Sequence, residues 1–185
     1  FVFSENQHYI KKFPRFAHRY LEGITYRDFR LGTIEQNKAK AAGSVTEYSG
    51  TAETWKNANS ENGIITLKDY NDRKILILND IFSSHTVKSR EARTKYLTAL
   101  KETLASPDEV WLKENDKTKL LDEMAFTKYY KDEAIMVIAA IEKGKYQVKT
   151  WFPFNEKPKS MSKKKLEKYW VKYRHGLLIK EKPGN

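Results

Sequence analysis

Hydrophobic residues in the C-terminal two thirds of the chain follow the patterns of β-strands. Residues 63–68 and 74–79 are β-rich runs joined by a short polar connection, which predicts a β-hairpin. Further strands are predicted between polar turns, over residues 109–113, 120–131, 134–142 and 145–152. Residues 134–141 are apolar at every position, as in a central strand covered on both faces. A short run at 177–179 predicts an edge strand.

Two longer helices are predicted beside these strands. The Ser-Ser-His-Thr stretch at 83–86 offers N-cap residues for a helix that runs to about Ala105. Ser160 or Ser162 is the expected N-cap of a basic helix that runs to about Arg174. Both segments carry apolar side chains at helical spacing, which favours packing against the sheet.

The N-terminal part has a different character. Residues 4–12 and 14–23 predict two short helices, and the stretch up to residue 62 lacks sustained periodicity. We therefore interpret residues 1–62 as an N-terminal extension of helices and loops, and residues 63–185 as the main domain. The order of helices, hairpin, helix, antiparallel sheet and helix predicts an α+β fold.

The charge is placed unevenly along the chain. The net charge is +11, and residues 41–154 contribute none of it, since they carry 17 basic and 17 acidic side chains. Residues 1–40 contribute +4 and residues 155–185 contribute +7. This distribution predicts a basic surface that binds an acidic polymer such as RNA.

Several classes of chemistry lack their residues. Without cysteine the chain has no disulfide framework, zinc ribbon or thiol nucleophile. The histidines at 8, 18, 85 and 175 have no metal-ligand spacing, and no phosphate loop or serine-hydrolase elbow occurs. Pro107 and Asp108 begin a strand as in one class of metal-dependent nucleases, but the acidic and lysine partners of that motif do not follow. We expect no metal, no cofactor and no membrane span, because the longest apolar run has eight residues.

Metal-free RNA cleavage needs fewer groups, and the chain offers candidates for each. It requires a base for the ribose 2′-hydroxyl, an acid for the leaving oxygen and donors around the phosphate. His85 lies at the predicted helix start, where backbone amides favour an anion, although a capping or exposed histidine is an alternative. Arg90 and Arg93 lie nearby, either as phosphate ligands or as a solvated face. Thr150 belongs to a strand in which it alternates together with Val148 and other apolar residues.

Candidate RNA-binding residues lie in the sheet and in the basic tail. Lys128 and Tyr130 are a candidate phosphate ligand and base-stacking residue, although strand aromatics usually pack in a core. The tail mixes cations and rings, as a nucleic-acid surface does; an amphipathic helix with a solvated face or an acidic-membrane ligand are the alternatives. The remaining binding candidates are Lys149, Lys164, Lys168 and His175.

The order of short motifs carries a resemblance to a known family. The motifs are His85 before a helix, Ser-Pro-Asp-Glu-Val-Trp at 106–111, the pair Tyr129 and Tyr130, Lys-Thr-Trp-Phe at 149–152 and Tyr-Arg-His-Gly-Leu-Leu at 173–178. Over residues 80–180 the chain resembles the phage-associated branch of the barnase, EndoU, colicin and RelE-like nuclease superfamily. Such domains occur in phage head morphogenesis proteins and in polymorphic and contact-dependent inhibition toxins.

The resemblance implies a helix packed on an antiparallel sheet, which we expect to have four to five strands. It also implies a metal-independent endoribonuclease, often acting on tRNA, with a cognate immunity protein that we expect to be acidic. The histidine, threonine and arginine of the family motifs fall on His85, Thr150 and Arg174, to which we add Arg93 as a catalytic candidate. The expected products are a 2′,3′-cyclic phosphate and a 5′-hydroxyl.

A location follows from the same resemblance and from the first residue, which is Phe. We expect a domain released or delivered from a larger bacterial or phage protein that acts in the cytoplasm of a target cell. The rival hypothesis is a non-catalytic module that binds RNA or serves in a phage structure.

Overall fold

The computed structural model describes residues 23–87, 93–118, 120–156 and 161–180. The strands found in these residues are β1 (Ser60–Glu61), β2 (Ile64–Lys68), β3 (Lys74–Ile77), β4 (Glu109–Lys113), β5 (Glu123–Tyr129), β6 (Ala134–Glu142), β7 (Lys145–Pro153) and β8 (Leu177–Lys180). The α-helices found there are α1 (Ile34–Ala39), α2 (Ala52–Ala58), α3 (Asn79–Phe82), α4 (Leu97–Ala105) and α5 (Lys163–Trp170).

The strands form a sheet of eight in the order β1-β2-β3-β7-β6-β5-β4-β8. Neighbours are antiparallel except β3 and β7, which pair in parallel at Leu76 and Gln147. The α+β class and the β2–β3 hairpin are confirmed, as is the edge position of β8. The expected number of four to five strands is wrong. Strands β7, β6, β5, β4 and β8 form an antiparallel group of five, and β1, β2 and β3 extend the sheet because β3 pairs with the edge of β7.

Two tight turns set the register of the sheet. Asn62 and Gly63 connect β1 to β2 with φ of 52° and 79°, and Lys143 and Gly144 connect β6 to β7 with φ of 50° and 75°. Two consecutive residues with positive φ are typical of the type I′ turn, whose twist matches that of a hairpin. The β6–β7 turn sets the pairing of the two strands as far as Ala139 and Val148.

The sheet is covered on both faces, which explains why residues 134–141 of β6 are all apolar. On one face, helix α4 packs Leu97, Leu100 and Leu104 onto the sheet in what we call the first core. On the other face, Ile34 of α1 and Leu166 and Trp170 of α5 pack in the second core. Burial of each large apolar side chain contributes about 1.5–3 kcal/mol, so the two cores together hold the sheet between helices.

The continuous helix predicted from residues 83–86 to Ala105 is wrong. The chain turns helical at Asn79, directly after β3, and α3 continues into a π-helical turn at Ser83–Val87. A 3₁₀ turn at Thr94–Tyr96 then precedes α4. His85 therefore lies six residues after the start of this helical segment, so it is not placed at a helix N-terminus whose amides would bind an anion. Residues 88–92, with Arg90, lie outside the described residues.

Helix α5 is capped as predicted but is shorter. The Ser162 hydroxyl accepts a hydrogen bond of 3.3 Å from the backbone N–H of Lys165. The helix ends at Trp170 rather than at Arg174, and a turn then leads into β8. That turn places Tyr173 beside the second core.

The N-terminal extension contributes to the fold within the described residues. Before residue 62 the described residues form the short helices α1 and α2, separated by loops, and strand β1, while the helices predicted at 4–12 and 14–23 fall almost entirely outside the described residues. Strand β1 pairs with β2 across the predicted boundary at residues 62 and 63, which stays a prediction. No helix in the described ranges has the length and apolar character that a membrane span requires.

Candidate active site

A pocket of about 360 Å³ lies where β7, the π-helical turn and helix α5 meet. We call it the His85 pocket. Its walls combine polar and aromatic side chains, and they are His85, Arg93, Thr150, Phe152, Glu156, Met161, Leu166, Tyr169, Trp170 and Tyr173. The volume lies within the range of roughly 300–1,000 Å³ that is usual for small-ligand sites. Three of the four predicted catalytic residues therefore meet in one place.

A β-bulge in β7 turns Thr150 towards this pocket. The register between β6 and β7 shifts between Ile138 and Ala139, whose partners are Thr150 and Val148, so Lys149 is the extra residue. Val148 consequently packs in the first core, whereas Thr150 lines the His85 pocket on the opposite face. The regular alternation predicted through Val148 and Thr150 is wrong at this point, because the bulge reverses the side-chain direction.

His85 and Thr150 form the central contact of the pocket. Nδ1 of His85 lies 3.1 Å from Oγ1 of Thr150, a hydrogen bond in which either atom donates according to the imidazole tautomer. Burial lowers the pKa of His85, and the charge of Arg93 lowers it further, against the opposing effects of Asp80 and Glu156. The imidazole is therefore neutral at pH 7 and its second nitrogen, Nε2, is available for proton transfer.

Thr86, the residue after His85, links the π-helical turn to β7. The hydroxyl of Thr86, which is fully buried, accepts a hydrogen bond of 3.1 Å from Nε1 of Trp151. Together with the His85 contact to Thr150, this bond joins two successive residues of the turn to two successive residues of the strand. The position of the imidazole is thus fixed from both sides.

Arg93 clamps the same two segments from the wall of the pocket. Its Nη1 donates to the carbonyl oxygen of His85 at 2.8 Å and also to that of Trp151. Its Nε and Nη2 each donate to one carboxylate oxygen of Glu156. Most N–H donors of the guanidinium therefore bond to groups of the protein itself. The residue is only 9% exposed.

Aromatic rings build the opposite end of the pocket. The ring of Phe152 lies 5.5 Å from that of Trp170 and 5.3 Å from that of Tyr173, measured between centroids. Tyr169 continues this row at 5.9 Å from Tyr173, and their hydroxyl oxygens are 3.4 Å apart. That hydrogen bond lowers the pKa of Tyr169, and Lys172 lowers it further.

The carboxylates near His85 are not arranged for a metal. Both oxygens of Glu156 already accept from Arg93. Throughout the described ranges, His, Asp and Glu side chains nowhere gather in the groups of three or more that would hold a metal ion. The chemical groups that this pocket presents to a ligand are an imidazole, a hydroxyl, phenols and aromatic faces.

A comparison with protein families identifies the family of this chain. The model that matches is described as phage-Barnase-EndoU-ColicinE5/D-RelE like nuclease2, and the match covers residues 53–180, well over half of the chain. The chain belongs to this nuclease family. The resemblance inferred from the motifs is confirmed. A comparison with curated proteins found no match, and neither did a comparison with solved structures.

In this nuclease, Arg174 lies away from the His85 pocket. It is fully buried, and its Nε and Nη2 donate to the two carboxylate oxygens of Glu109 at 2.9 and 2.7 Å. Its Nη1 donates to the carbonyl oxygen of Gly32 at 2.9 Å, and Tyr26 covers its guanidinium at 4.2 Å from the ring centroid. This burial argues against the phosphate contact predicted for Arg174, because substrate would have to displace packed residues to reach it.

Lys128 and Tyr130 line a different cavity, of about 320 Å³, together with Asp108. Nζ of Lys128 donates to the carbonyl oxygen of Ser106 at 2.7 Å. The hydroxyl of Tyr130 donates to the carboxylate of Glu102 at 3.0 Å, and the ring packs in the first core. The structure therefore separates this predicted binding pair from the His85 pocket.

The other predicted binding residues do not line the His85 pocket. Lys149 lies in the bulge, 3.4 Å from Glu142 and 3.9 Å from Glu123. His175 lines a third cavity and bridges to Thr25. Lys164 and Lys168 are exposed on α5.

No sequence pattern pointed to Glu156, and the basic tail with Tyr169 and Tyr173 left two interpretations open. Glu156 follows the end of β7 by three positions and has no motif around it. Tyr169 and Tyr173 stand four residues apart, so a helical register does place them together, but the same spacing is typical of rings buried under a helix. Only the position of α5 beside β7 distinguishes the two cases.

Proposed function

We propose that this nuclease is a metal-independent endoribonuclease that cleaves by attack of the ribose 2′-hydroxyl on the adjacent phosphorus. The observation that carries the proposal is the hydrogen bond between His85 and Thr150 in a pocket of nucleotide-binding size. A histidine whose pKa is lowered is unprotonated at neutral pH and so suits the role of general base.

In the proposed reaction, His85 donates from Nδ1 to Thr150 and uses Nε2 to take the proton of the 2′-hydroxyl. The 2′-oxygen then bonds to phosphorus while the bond from phosphorus to the 5′-oxygen breaks. The leaving 5′-oxygen takes a proton from solvent in the open pocket. The products are a 2′,3′-cyclic phosphate and a 5′-hydroxyl, and atoms balance without an added reactant.

Thr150 has two tasks in this scheme. Its Oγ1 accepts the Nδ1–H of His85 and thereby fixes the tautomer, and its own O–H is then free to donate to a phosphate oxygen. Hydroxyl donors placed where charge develops on phosphate stabilise the transition state.

Arg93 acts through position. Its bonds to the carbonyl oxygens of His85 and Trp151 hold the imidazole beside β7, while Glu156 balances its charge. We therefore propose a positioning role for Arg93 and a structural role for Arg174 in place of direct phosphate contacts.

We further propose that the domain is a toxin delivered from a larger bacterial or phage protein, with RNA, including tRNA, as its substrate in the cytoplasm of a target cell. Helix α5 lines the His85 pocket through Leu166, Tyr169 and Trp170, and its exposed lysines would hold the RNA backbone. An acidic immunity protein would be complementary in charge to the same basic surface.

The proposal is tested by incubating the purified chain with total RNA in EDTA, beside His85→Ala. We expect chelator-resistant cleavage with cyclic phosphate ends, detected by mass spectrometry, and a loss of roughly 100- to 10,000-fold in the variant. Added imidazole should restore part of the activity of His85→Ala, which a misfolded variant would not show.

Other results would point elsewhere. Loss of wild-type cleavage on chelation would contradict the metal-free reaction. If wild type and His85→Ala both bind RNA and neither cuts it, the chain is a binding module instead.

A further inference from the structure

The His85 pocket has two chemically distinct ends. His85 and Thr150 stand at the polar end, while Phe152, Tyr169 and Tyr173 stand at the aromatic end. The proposed reaction uses the polar end alone. The aromatic rings lie in a row with centroid distances of 5.3 and 5.9 Å, so they present a continuous apolar wall beside the reacting groups.

Tyr169 is the member of this wall that is open to solvent. Its residue exposure is 41%, against 1% for its neighbour Trp170, which packs in the second core. Trp170 thus contributes to folding, whereas a substantial part of Tyr169 stays open to solvent. An exposed aromatic ring at the rim of a ligand pocket is typical of a residue that packs against a ligand.

Lys172 supports the two tyrosines from behind. Its Nζ lies 4.0 Å from the ring centroid of Tyr169 and 4.8 Å from that of Tyr173. Lys172 does not line the His85 pocket; it lines the neighbouring cavity together with Lys113 and Tyr173. The cation therefore contacts both rings without lining the His85 pocket.

We propose that this aromatic end is the subsite for an unpaired nucleobase next to the scissile phosphate, with Tyr169 as its stacking residue. The proposal rests on the proposed ribonuclease function in taking RNA as the ligand. With the phosphate and ribose at His85 and Thr150, the adjoining base is carried onto the wall of rings. Every base has a π-face, so stacking of this kind tolerates different bases.

The size of the pocket defines the substrate further. Its volume of about 360 Å³ is near the lower end of ligand sites and accommodates about one nucleotide. A base inside an A-form helix is stacked on its neighbours and unavailable to a protein ring. The enzyme should therefore act on single-stranded segments and loops and spare duplex RNA.

The test measures binding without cleavage. A short mixed-sequence 2′-O-methyl RNA, which lacks the attacking hydroxyl, is titrated into wild type, Tyr169→Leu and Tyr169→Phe, as single strand and as duplex, with fluorescence anisotropy as readout. We expect Tyr169→Leu to weaken single-strand binding at least about fivefold, Tyr169→Phe to bind like wild type, and the duplex to bind weakly to all.

Salt dependence separates stacking from charge. Tyr169→Leu should leave the slope of log K against log salt unchanged, whereas Lys168→Ala on the same helix should reduce it. Circular dichroism confirms that each variant is folded. Wild-type affinity in Tyr169→Leu, or equal binding of duplex and single strand by wild type, would overturn the base subsite.

The outcome is distinguishable from failure of the ribonuclease proposal. If single-strand binding depends on the Tyr169 ring while unmodified RNA stays uncut, the base subsite stands and the cleavage reaction is wrong.

Discussion

Two arginine–glutamate pairs, Arg93 with Glu156 and Arg174 with Glu109, have the same local chemistry and different surroundings. In each, the guanidinium donates to both oxygens of the carboxylate. Arg174 is fully buried and covered by the ring of Tyr26, whereas Arg93 lies at the wall of the His85 pocket.

The remaining hydrogen bonds show what each pair does. Arg174 bonds to the carbonyl oxygen of Gly32 and so ties the N-terminal segment to β4 and to the turn before β8. Arg93 bonds to the carbonyl oxygens of His85 and Trp151, which are parts of the site. A buried arginine in a nuclease family is therefore a candidate for a role at the site only when it donates hydrogen bonds to residues of that site, as Arg93 does and Arg174 does not.

The largest effect is expected from substitution of Arg174, on the free energy of unfolding. Arg174→Met leaves the Glu109 carboxylate buried without its cation, which should cost about 3–5 kcal/mol in the free energy of unfolding. Chemical denaturation monitored by circular dichroism measures this change.

A double variant, Arg174→Met with Glu109→Gln, serves as the control. It removes both charges and should recover much of the loss. The structural role of this pair would be contradicted if Arg174→Met had wild-type stability and yet lost cleavage.

Substitution of Arg93, which pairs with Glu156 at the pocket, should lower activity more than stability. Arg93→Met removes the bonds that hold the His85 and Trp151 carbonyl groups, and a displacement of about 1 Å costs on the order of 100-fold in rate. We expect kcat for RNA cleavage to fall by about that factor while unfolding free energy falls less than in Arg174→Met. Equal losses of stability in the two variants would remove the distinction between the pairs.

A smaller effect is expected at Thr150. Thr150→Val keeps the shape but deletes the hydroxyl, and a net hydrogen bond of about 1 kcal/mol corresponds to a loss of roughly fivefold to tenfold in kcat/KM. Thr150→Ser retains the hydroxyl and should keep most activity. Steady-state kinetics on a fluorogenic RNA checks both, and wild-type activity in the valine variant would dismiss the Thr150 role.

The smallest predicted effect is a shift in pH dependence. Because burial and then Arg93 lower the pKa of His85, kcat/KM should rise with pH, and the midpoint of that rise should lie below 6.5, the ordinary value for histidine. Arg93→Met removes one of the two causes, so its acidic limb should move to higher pH. A pH–rate profile that is identical in wild type and Arg93→Met would contradict this coupling.

The same shift gives the sign of a stability effect. Since the unfolded chain binds a proton at His85 more readily than the folded chain, the contribution of His85 to stability is present above about pH 6.5 and is lost as pH falls through the folded pKa.

Sequence patterns predicted those parts of the fold that depend on local chemistry. The Lys143–Gly144 turn and the unbroken apolar run of β6 follow from turn geometry and burial on two faces. The bulge at Lys149 could not be predicted, because polar and apolar residues continue to alternate through it. A single inserted residue nevertheless decides that Thr150 faces His85.

The motif Tyr-Arg-His-Gly-Leu-Leu at residues 173–178 shows that a residue in a family motif can have a structural role. Gly176 has a φ of 109°, and a Cβ there would lie 2.5 Å from the carbonyl oxygen of Leu112. Glycine is thus required for the close approach of this turn to β4, and Arg174 beside it is required for the buried ion pair. The motif belongs to the fold, while the chemistry that we propose lies at His85 and Thr150 elsewhere in the chain.

The most direct test of the central claim is cleavage of one RNA sequence beside the same sequence with 2′-deoxyribose at the cleaved position, both in EDTA. Attack by the 2′-hydroxyl predicts that the RNA is cut to a cyclic phosphate and that the deoxy-substituted strand stays intact. Equal cleavage of the two strands would contradict the account.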